Sequence, residues 1–574
     1  MYLIEYIWVL LLVMGKVMGL IEHDFYAQME GKTDDYENRV ALGIRSAFGW
    51  KEFTYRGLGL LSRKLAIHMI YDLDTKKGQK LAILSESKPE YGACVFASAL
   101  AGFVTVPLDI KLTKYELKSI LLDAEPTIMC VSQTYLATAL ELQKELPSLK
   151  HILMIDEHVK SNEIPNIYEL PDRYNAKWRR RSSKSTMFII YTSGTTGMPK
   201  GVEITFKNIM SQLDSLKLPL KHILGDKKVT VLSILPMNHL FEMTVGFCVF
   251  LNFGFSVYYT HSLKPKDITG IMRDKKVEFM IVVPAFLKLL KTGIESELKN
   301  APKFTQIAFK FMYHLSKFIT SYRVKKILFK KIHDKFGGKF TGCIAGGAPL
   351  DVEVGKFFER IGIKVYQGYG LSETSPVVAV NYDKRNVLAS VGKPIPNFEV
   401  KIIPETGELW LKGPSVMKGY HNQPEMTAEV LDSDGWLHTG DIARIDNDGH
   451  IFITGRIKNM IVLQGGKKVF PEEVEAVLEK SNYIAEVCVL GVKRNFGSKE
   501  NAEEVTAVVV PKDDVYKNHT DKEVEDIIKA DIKSLSLQLT QYKRPSNVIV
   551  VKEPLPKTTT RKVKRNDVRK LITI

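Results

Sequence analysis

At 574 residues, with 45% hydrophobic and 25% charged side chains, the chain has a globular composition and enough length to bury cores in two or more domains. Its five cysteines, Cys94, Cys130, Cys248, Cys343 and Cys488, show no Cys-x-x-Cys spacing, which argues against a zinc site or a disulfide scaffold and suits a reducing compartment. The formal charge of +16 points to acidic partners such as nucleotides, coenzyme A, an acidic carrier protein or a membrane surface, and no nucleic-acid-recognition motif accompanies it.

Met1–Leu20 is mostly apolar but contains Glu5 and Lys16. Its uninterrupted run, Tyr6 to Gly15, is shorter than the roughly 20 residues a spanning helix needs, and it lacks the basic start and small-residue end of a signal peptide. Three readings stay open: an interfacial anchor, an extension upstream of a true start at Met14 or Met18, and a spanning helix.

From there β-rich runs alternate with helical stretches, the pattern of a layered α/β domain. Strands are expected at Leu81–Leu84, Thr127–Val131, Ile152–Ile155, Met187–Tyr191, Val229–Leu235 and Phe279–Val283, with helices at Tyr115–Leu122 and Leu136–Leu146 between them. Lys177–Ser183, rich in arginine, reads as a solvated connector that opens a new unit, with lipid or coenzyme A contact as the alternative.

The next stretch, Tyr191-Thr-Ser-Gly-Thr-Thr-Gly-Met-Pro-Lys-Gly201, follows a buried strand and carries the most chemistry. Gly194 and Gly197 let backbone N–H groups converge on an anion. Thr192, Ser193, Thr195 and Thr196 add hydroxyl donors and Lys200 adds charge. It is not a Walker loop, because Met198 and Pro199 separate the last glycine from the lysine and no Ser or Thr follows.

Residues 304–338 combine an apolar stripe (Phe304, Ile307, Phe311, Leu315, Phe318) with a basic run (Arg323, Lys325, Lys326, Lys330, Lys331). This reads either as a packed amphipathic helix or as a membrane-surface contact. Gly368-Tyr-Gly-Leu-Ser-Glu-Thr374 then supplies a ring that could stack on adenine (Tyr369), a hydroxyl for the α-phosphate (Ser372) and an oxygen ligand for Mg2+ (Glu373). From Gly455 the pattern becomes a compact α+β tail: a helix at Pro471–Ser481 with Pro and two Glu in its first turn, strands at Val487–Val492, Val505–Val510 and Asn547–Val551, and a helix from Asp521 to Leu539. A boundary is therefore expected near Arg456–Lys458.

In order, these motifs resemble the adenylate-forming superfamily of acyl-CoA synthetases, adenylation domains and luciferases, over roughly residues 35–570. The resemblance implies a hydrophobic segment (1–20), a large layered α/β adenylation domain (21–455) and a small mobile α+β domain (456–574). Gly346, Gly347 and Ala348 match the family's second adenine-side loop, joining Gly368, Tyr369, Gly370 and Ser372. Asp441, in Thr439-Gly440-Asp441, and Arg456 match the ribose-binding pair, with a structural ion pair as the alternative. Glu373 and Thr192 would hold the metal, and Thr192, Ser193, Gly194, Thr195, Thr196, Gly197 and Lys200 the phosphates. Lys458 matches the hinge and Gly466 the thiol channel. Lys562, in Pro556-Lys-Thr-Thr-Thr-Arg-Lys562, matches the catalytic lysine, with Arg561 where the family has glycine.

Leu235–Glu242 is similar to a segment of long-chain acyl-CoA synthetases whose histidine, here His239, sits near the reacting carboxylate. The resemblance thus implies ATP-dependent activation of a long-chain fatty acid and transfer to coenzyme A, with Mg2+ as cofactor. An acyl carrier protein as acceptor, peripheral membrane contact and a homodimer stay open, as does a non-catalytic adenylate-binding protein. The expected location is cytoplasmic, with membrane association through the N-terminal segment.

Overall fold

A computed structural model describes residues 31, 35–46, 49–159, 163–171, 177–192, 199–383, 385–463, 467–493, 503–517, 519–557 and 563–572. The chain packs as two units: residues 1–399 with 412–435, and residues 400–411 with 436–574.

The first unit holds two mixed sheets. One runs in the order Gly419–Tyr420, Lys200–Thr205, Thr186–Thr192, Val104–Pro107, Lys80–Leu84, Ile128–Val131, His151–Met154. Its last five strands are parallel, and helices Pro89–Leu100, Lys114–Ala124 and Leu136–Glu145 make the crossovers that parallel pairing requires. These strands read as unbroken apolar runs because helices cover them; Ala82, Leu84, Met129 and Val131 meet Leu117, Leu121 and Leu142 in one core. The second sheet has nine strands, with Lys364–Gly370, Gly342–Ala345, Phe279–Val282, Thr230–Ser233, Ser256–Tyr259 and Val40–Ser46 parallel in that order.

The expected strand at Val229–Leu235 is confined to Thr230–Ser233. Pro236, which has no N–H, ends the run, and the chain turns there with His239 N donating to Pro236 O at 3.1 Å. The arginine-rich connector is solvated only in part: Lys177, Arg180, Ser182 and Ser183 are exposed, while Arg179 donates to Ile70 O and Thr75 O, each at 2.9 Å, and Arg181 to Thr186 O at 3.0 Å. The segment lies within the first unit rather than opening a new one.

In the second unit, strand Glu503–Pro511 pairs with Ile484–Lys493 on one side and Asn547–Val550 on the other. Alternation sorts the 484–493 strand: Val487 and Val489 face helices Pro471–Leu478 and Asp521–Leu535, while Cys488 and Leu490 face Leu555 and Val568. The long tail helix ends at Leu535 and tightens into a 3-10 turn, Ser536–Gln538. A four-stranded sheet, Glu399–Ile402, Glu408–Lys412, Leu437–Ile445 and Ile451–Arg456, belongs to this unit. Its pairing draws the unit's edge upstream of Arg456. No described helix is long and apolar enough to cross a membrane; Met1–Leu20 lies outside the described residues.

Candidate active site

The expected phosphate motif is flanked by two paired strands. Thr186–Thr192 pairs antiparallel with Lys200–Thr205, and Thr192 stands opposite Lys200. Seven residues therefore leave and re-enter a paired ladder, which fixes both ends of the loop. Ser193, Gly194, Thr195, Thr196 and Gly197 lie outside the described residues; Thr192 and Lys200 form the base.

A third strand, Gly419–Tyr420, pairs with Lys200–Thr205 so that Tyr420 stands opposite Val202. The Lys200 ammonium lies 5.3 Å from the centre of the Tyr420 ring, a cation–π distance. The Tyr420 hydroxyl donates to Glu373 Oε1 at 2.9 Å. Burial, and then the Glu373 carboxylate, push that phenol far above its ordinary range, so it keeps the proton that it donates. One aromatic residue thus joins the lysine of the phosphate loop to the acid of the 368–374 motif. Sequence reasoning missed it: a tyrosine after a glycine, some 220 positions from Lys200, carries no spacing signal.

Beside it, Glu203 accepts from Thr186 Oγ1 at 2.7 Å, Lys418 Nζ at 2.6 Å and His421 Nδ1 at 2.6 Å. Burial alone would raise this carboxyl, but the bonds from His421, Lys418 and Thr186 outweigh it and hold the group at about 2. Glu203 is therefore an anion that pins the strands around the hairpin, and it too was missed.

The Glu373 turn is clamped from helix Phe206–Ser215. Thr205 and Asn208 close that helix with a reciprocal capping box. Asn208 Nδ2 also donates to Pro414 O and Val416 O, each at 2.8 Å. One turn on, the fully buried Gln212 donates to Val377 O at 2.8 Å and Thr374 O at 3.3 Å. Met417 N donates to Glu373 O at 2.8 Å. These bonds brace the backbone on both sides of Glu373, and Tyr420 holds the carboxylate itself.

Glu373 fits a divalent-cation role. Tyr420 occupies Oε1 and leaves Oε2 without a hydrogen bond among the described residues. Mg2+ is usually held by one or two carboxylates, with phosphate and water oxygens completing six. One fixed carboxylate, with Thr192 at the loop base, matches that donor set.

Five of the residues expected at adenine line one pocket. Gly346, Gly347, Gly368, Tyr369 and Gly370 form part of its wall, and the rest is apolar: Leu216, Pro219, Leu220 and Ile223 on one side, Phe241, Val245 and Ile344 on another. The glycines have different reasons. At Gly347, with φ of +81°, a Cβ would meet nothing within 4 Å, whereas at Gly370 it would lie 1.6 Å from Pro376 O. Gly347 thus keeps a left-handed turn open, and Gly370 admits the neighbouring backbone. Ala348 follows on the same loop, and Ser372 opens the 3-10 turn Ser372–Thr374.

His239 is half-buried in the turn before a π-helix, Glu242–Val249, two residues from Phe241. Such helices are rare and frequent at functional sites. Its first residue, Glu242, is fully buried with neither carboxylate oxygen in a hydrogen bond of ordinary geometry. Burial pushes its pKa up to about 8, with the nearby Ser233 hydroxyl opposing only in part. A Cβ on Gly246 would lie 2.2 Å from Glu242 Oε1, so glycine makes room for this carboxyl one turn below.

Asp441 and Arg456 belong to the second unit, on adjacent strands and directly opposite in register. Arg456 Nε is 2.6 Å from Asp441 Oδ1, and Asp441 is buried. The pair expected to reach a ribose is joined as an ion pair here. Lys458 sits in the 3-10 turn Ile457–Asn459 that follows. Gly466 and Lys562 lie outside the described residues, but the base of the lysine loop is fixed: Lys557 bridges Val563 antiparallel, and Lys564 N donates to Pro556 O at 2.8 Å. Just beyond, Arg565 binds Glu475 with both terminal nitrogens.

The AMP-binding enzyme family profile matches residues 29–421, and the profile of the AMP-binding enzyme C-terminal domain matches 473–562. The chain is 29% identical over 560 residues to a long-chain-fatty-acid–CoA ligase of Salmonella typhimurium, covering 90% of this chain and 89% of the relative. It is 27% identical over 529 residues to luciferin 4-monooxygenase of Photinus pyralis, covering 88% and 86%. Among solved structures, ATP-bound MatB from Rhodopseudomonas palustris matches with a TM-score of 0.76 and 25% identity, covering 96% and 98%. The chain belongs to the AMP-binding enzyme family.

Proposed function

We propose that this AMP-binding enzyme activates a long-chain fatty acid with ATP and transfers the acyl group to coenzyme A, releasing AMP and pyrophosphate. The observation that carries the acid class is the wall of the pocket opposite the glycines and Tyr369, which are left to adenine. That wall is Leu216, Pro219, Leu220, Ile223, Phe241 and Val245, with no charged residue among them. An acyl chain gains by burial there, at about 0.8 kcal/mol per methylene, and a charged or hydroxylated acid gains nothing comparable. The relative of Salmonella typhimurium, by its name, takes such acids.

In the first half-reaction a carboxylate oxygen bonds to the α-phosphorus of ATP as the bond to pyrophosphate breaks. No strong base is needed, because a carboxylate is already ionised near neutral pH. The task is to bring two anions together and stabilise the charge that accumulates. The 193–199 loop and Lys200 are assigned to the phosphates, Tyr369 and the Gly346–Ala348 loop to adenine, and Asp441 with Arg456 to the ribose. His239 is assigned to the neighbourhood of the carboxylate, and Lys562 to its bridge with phosphate. Mg2+ held by Glu373 supplies charge neutralisation when bound.

In the second half-reaction the thiol sulfur bonds to the acyl carbonyl carbon and AMP leaves, carrying the electron pair. We assign the turn at Lys458, inside the second unit and downstream of its edge at Trp436, as the hinge that withdraws Lys562, and Gly466 as lining for the thiol's approach. Product formation should be followed with ATP, Mg2+ and acids from C4 to C20, offering coenzyme A and an acyl carrier protein separately. The expected result is acyl-CoA, with acids of about C12 or longer preferred. A profile peaking at acetate or an aromatic acid overturns the acid class, and thioester formed only on the carrier overturns the acceptor.

A further inference from the structure

Helix Lys303–Leu315 carries two apolar faces, and one is unpacked. Phe309, Met312 and Tyr313 turn toward the first unit's core, where Phe309 meets Phe329 edge-on and Tyr313 lies against Phe357. The stripe for which packing and membrane contact are both open in the sequence is the other one: Phe304, Ile307, Phe311 and Phe318 are 82%, 66%, 69% and 71% exposed. Leu315 continues the row, and Ile327 of the following helix, Tyr322–Leu328, is 75% exposed. The core has already claimed its side of the helix, so this second row has no inward role to explain its composition.

Its border is basic. Lys303, Lys310 and Lys317, all exposed, recur every two turns and run along one edge of the stripe. From Lys299 to His333 the sequence holds nine Lys or Arg and no Asp or Glu. Only Lys325 among them is turned inward, donating to Glu359 O at 3.1 Å. An apolar row with lysine along its edge and no acid for 35 residues is the make-up of a helix that lies in a bilayer interface, rings in the acyl boundary and ammonium groups among anionic headgroups. A monomer gains nothing from leaving such a row in water.

We propose that the face formed by Phe304, Ile307, Phe311 and Phe318, bordered by Lys303, Lys310 and Lys317, docks the protein on an anionic lipid bilayer. The inference is independent of the acid assigned above and stands if that assignment fails. The packed face holds the helix in place, so docking needs no rearrangement of the core.

The test is sedimentation of the full chain with phosphatidylcholine vesicles, with and without phosphatidylglycerol, at low and high salt. Three variants accompany it: Phe304→Ser/Phe311→Ser/Phe318→Ser, Lys303→Glu/Lys310→Glu/Lys317→Glu, and deletion of Met1–Val17. Binding to the anionic vesicles is expected, weakened by salt, and each triple variant should cut it tenfold or more, since each basic residue near an anionic surface contributes about fivefold. Thermal unfolding midpoints should stay unchanged, because the replaced side chains are exposed. The deletion should leave the sensitivity to both triple variants intact. No vesicle binding, wild-type binding by both triple variants, binding lost through the deletion alone, or binding to an acidic protein in place of vesicles would each overturn the proposal.

Discussion

Two loops assigned to phosphate chemistry, 193–199 in the first unit and 558–562 in the second, share one device and differ in their surroundings. Each leaves and re-enters paired backbone, Thr192 opposite Lys200 in one and Lys557 opposite Val563 in the other. Behind the first stands a braced cluster, with Glu203, Tyr420, Asn208 and Gln212 bracing the neighbouring backbone. Behind the second is a single bridge, backed by Lys557 on Glu486 and Arg565 on Glu475 within its own unit. The contrast matches their assigned duties. A cradle used throughout the reaction gains from rigidity, whereas a lysine needed for one half-reaction gains from a unit that can be moved whole.

The difference can be broken from either side. Lys562→Ala should have the largest effect, lowering acid-dependent pyrophosphate release by about 10²–10³, the usual loss for one preorganised charge donor. Lys458→Pro restricts backbone rotation at the turn; it should spare acyl-AMP formation and lower thioester formation at least tenfold. Equal loss of both would make the position structural. On the braced side, Tyr420→Phe keeps the ring against Lys200 but removes the hydrogen bond to Glu373, worth about 1.5–3 kcal/mol for a charged acceptor. It should slow adenylation roughly tenfold and raise the Mg2+ concentration needed for half-maximal rate. An unchanged Mg2+ dependence would show that Tyr420 does not position Glu373.

A further effect is on stability. Glu242 titrates at about 8 in the folded protein, against 4.5 ordinarily. The folded state therefore binds the extra proton between those values, and stability from this group is lost as pH rises through that window. Glu242→Gln removes the titration, so its stability relative to wild type should improve by about 1 kcal/mol per pH unit between pH 5 and 8. Urea unfolding at pH 5, 6.5 and 8 measures it; parallel curves would mean the carboxyl ionises freely.

Much of this architecture was legible because its signals are local. Unbroken apolar runs such as Leu81–Leu84 and Phe279–Val282 mark strands covered on both faces, and the Gly- and Thr-rich run after Tyr191 marks a loop without help from the rest of the chain. What the sequence concealed depends on distance. Tyr420 meets Glu373 only because a two-residue strand docks on the hairpin. The burial of Glu242 depends on Gly246 one turn away and on a helix that winds unusually. The 304–318 stripe left two readings open for a related reason: apolar spacing shows that a face exists, not whether the protein itself covers it. Asp441 and Arg456 form the ion pair left open as the alternative to ribose contact, and their being register partners in a sheet is what joins them.

The most direct measurement supplies acyl-AMP to the Lys562→Ala variant and follows acyl-CoA formation, on the same preparation used for pyrophosphate release and with ATP binding as a control for folding. Conversion near the wild-type rate, beside adenylation lowered about 10²–10³, is the predicted result. A fall in acyl-AMP conversion that matches the fall in adenylation would contradict the account, because the lysine would then serve both half-reactions from one arrangement of the chain.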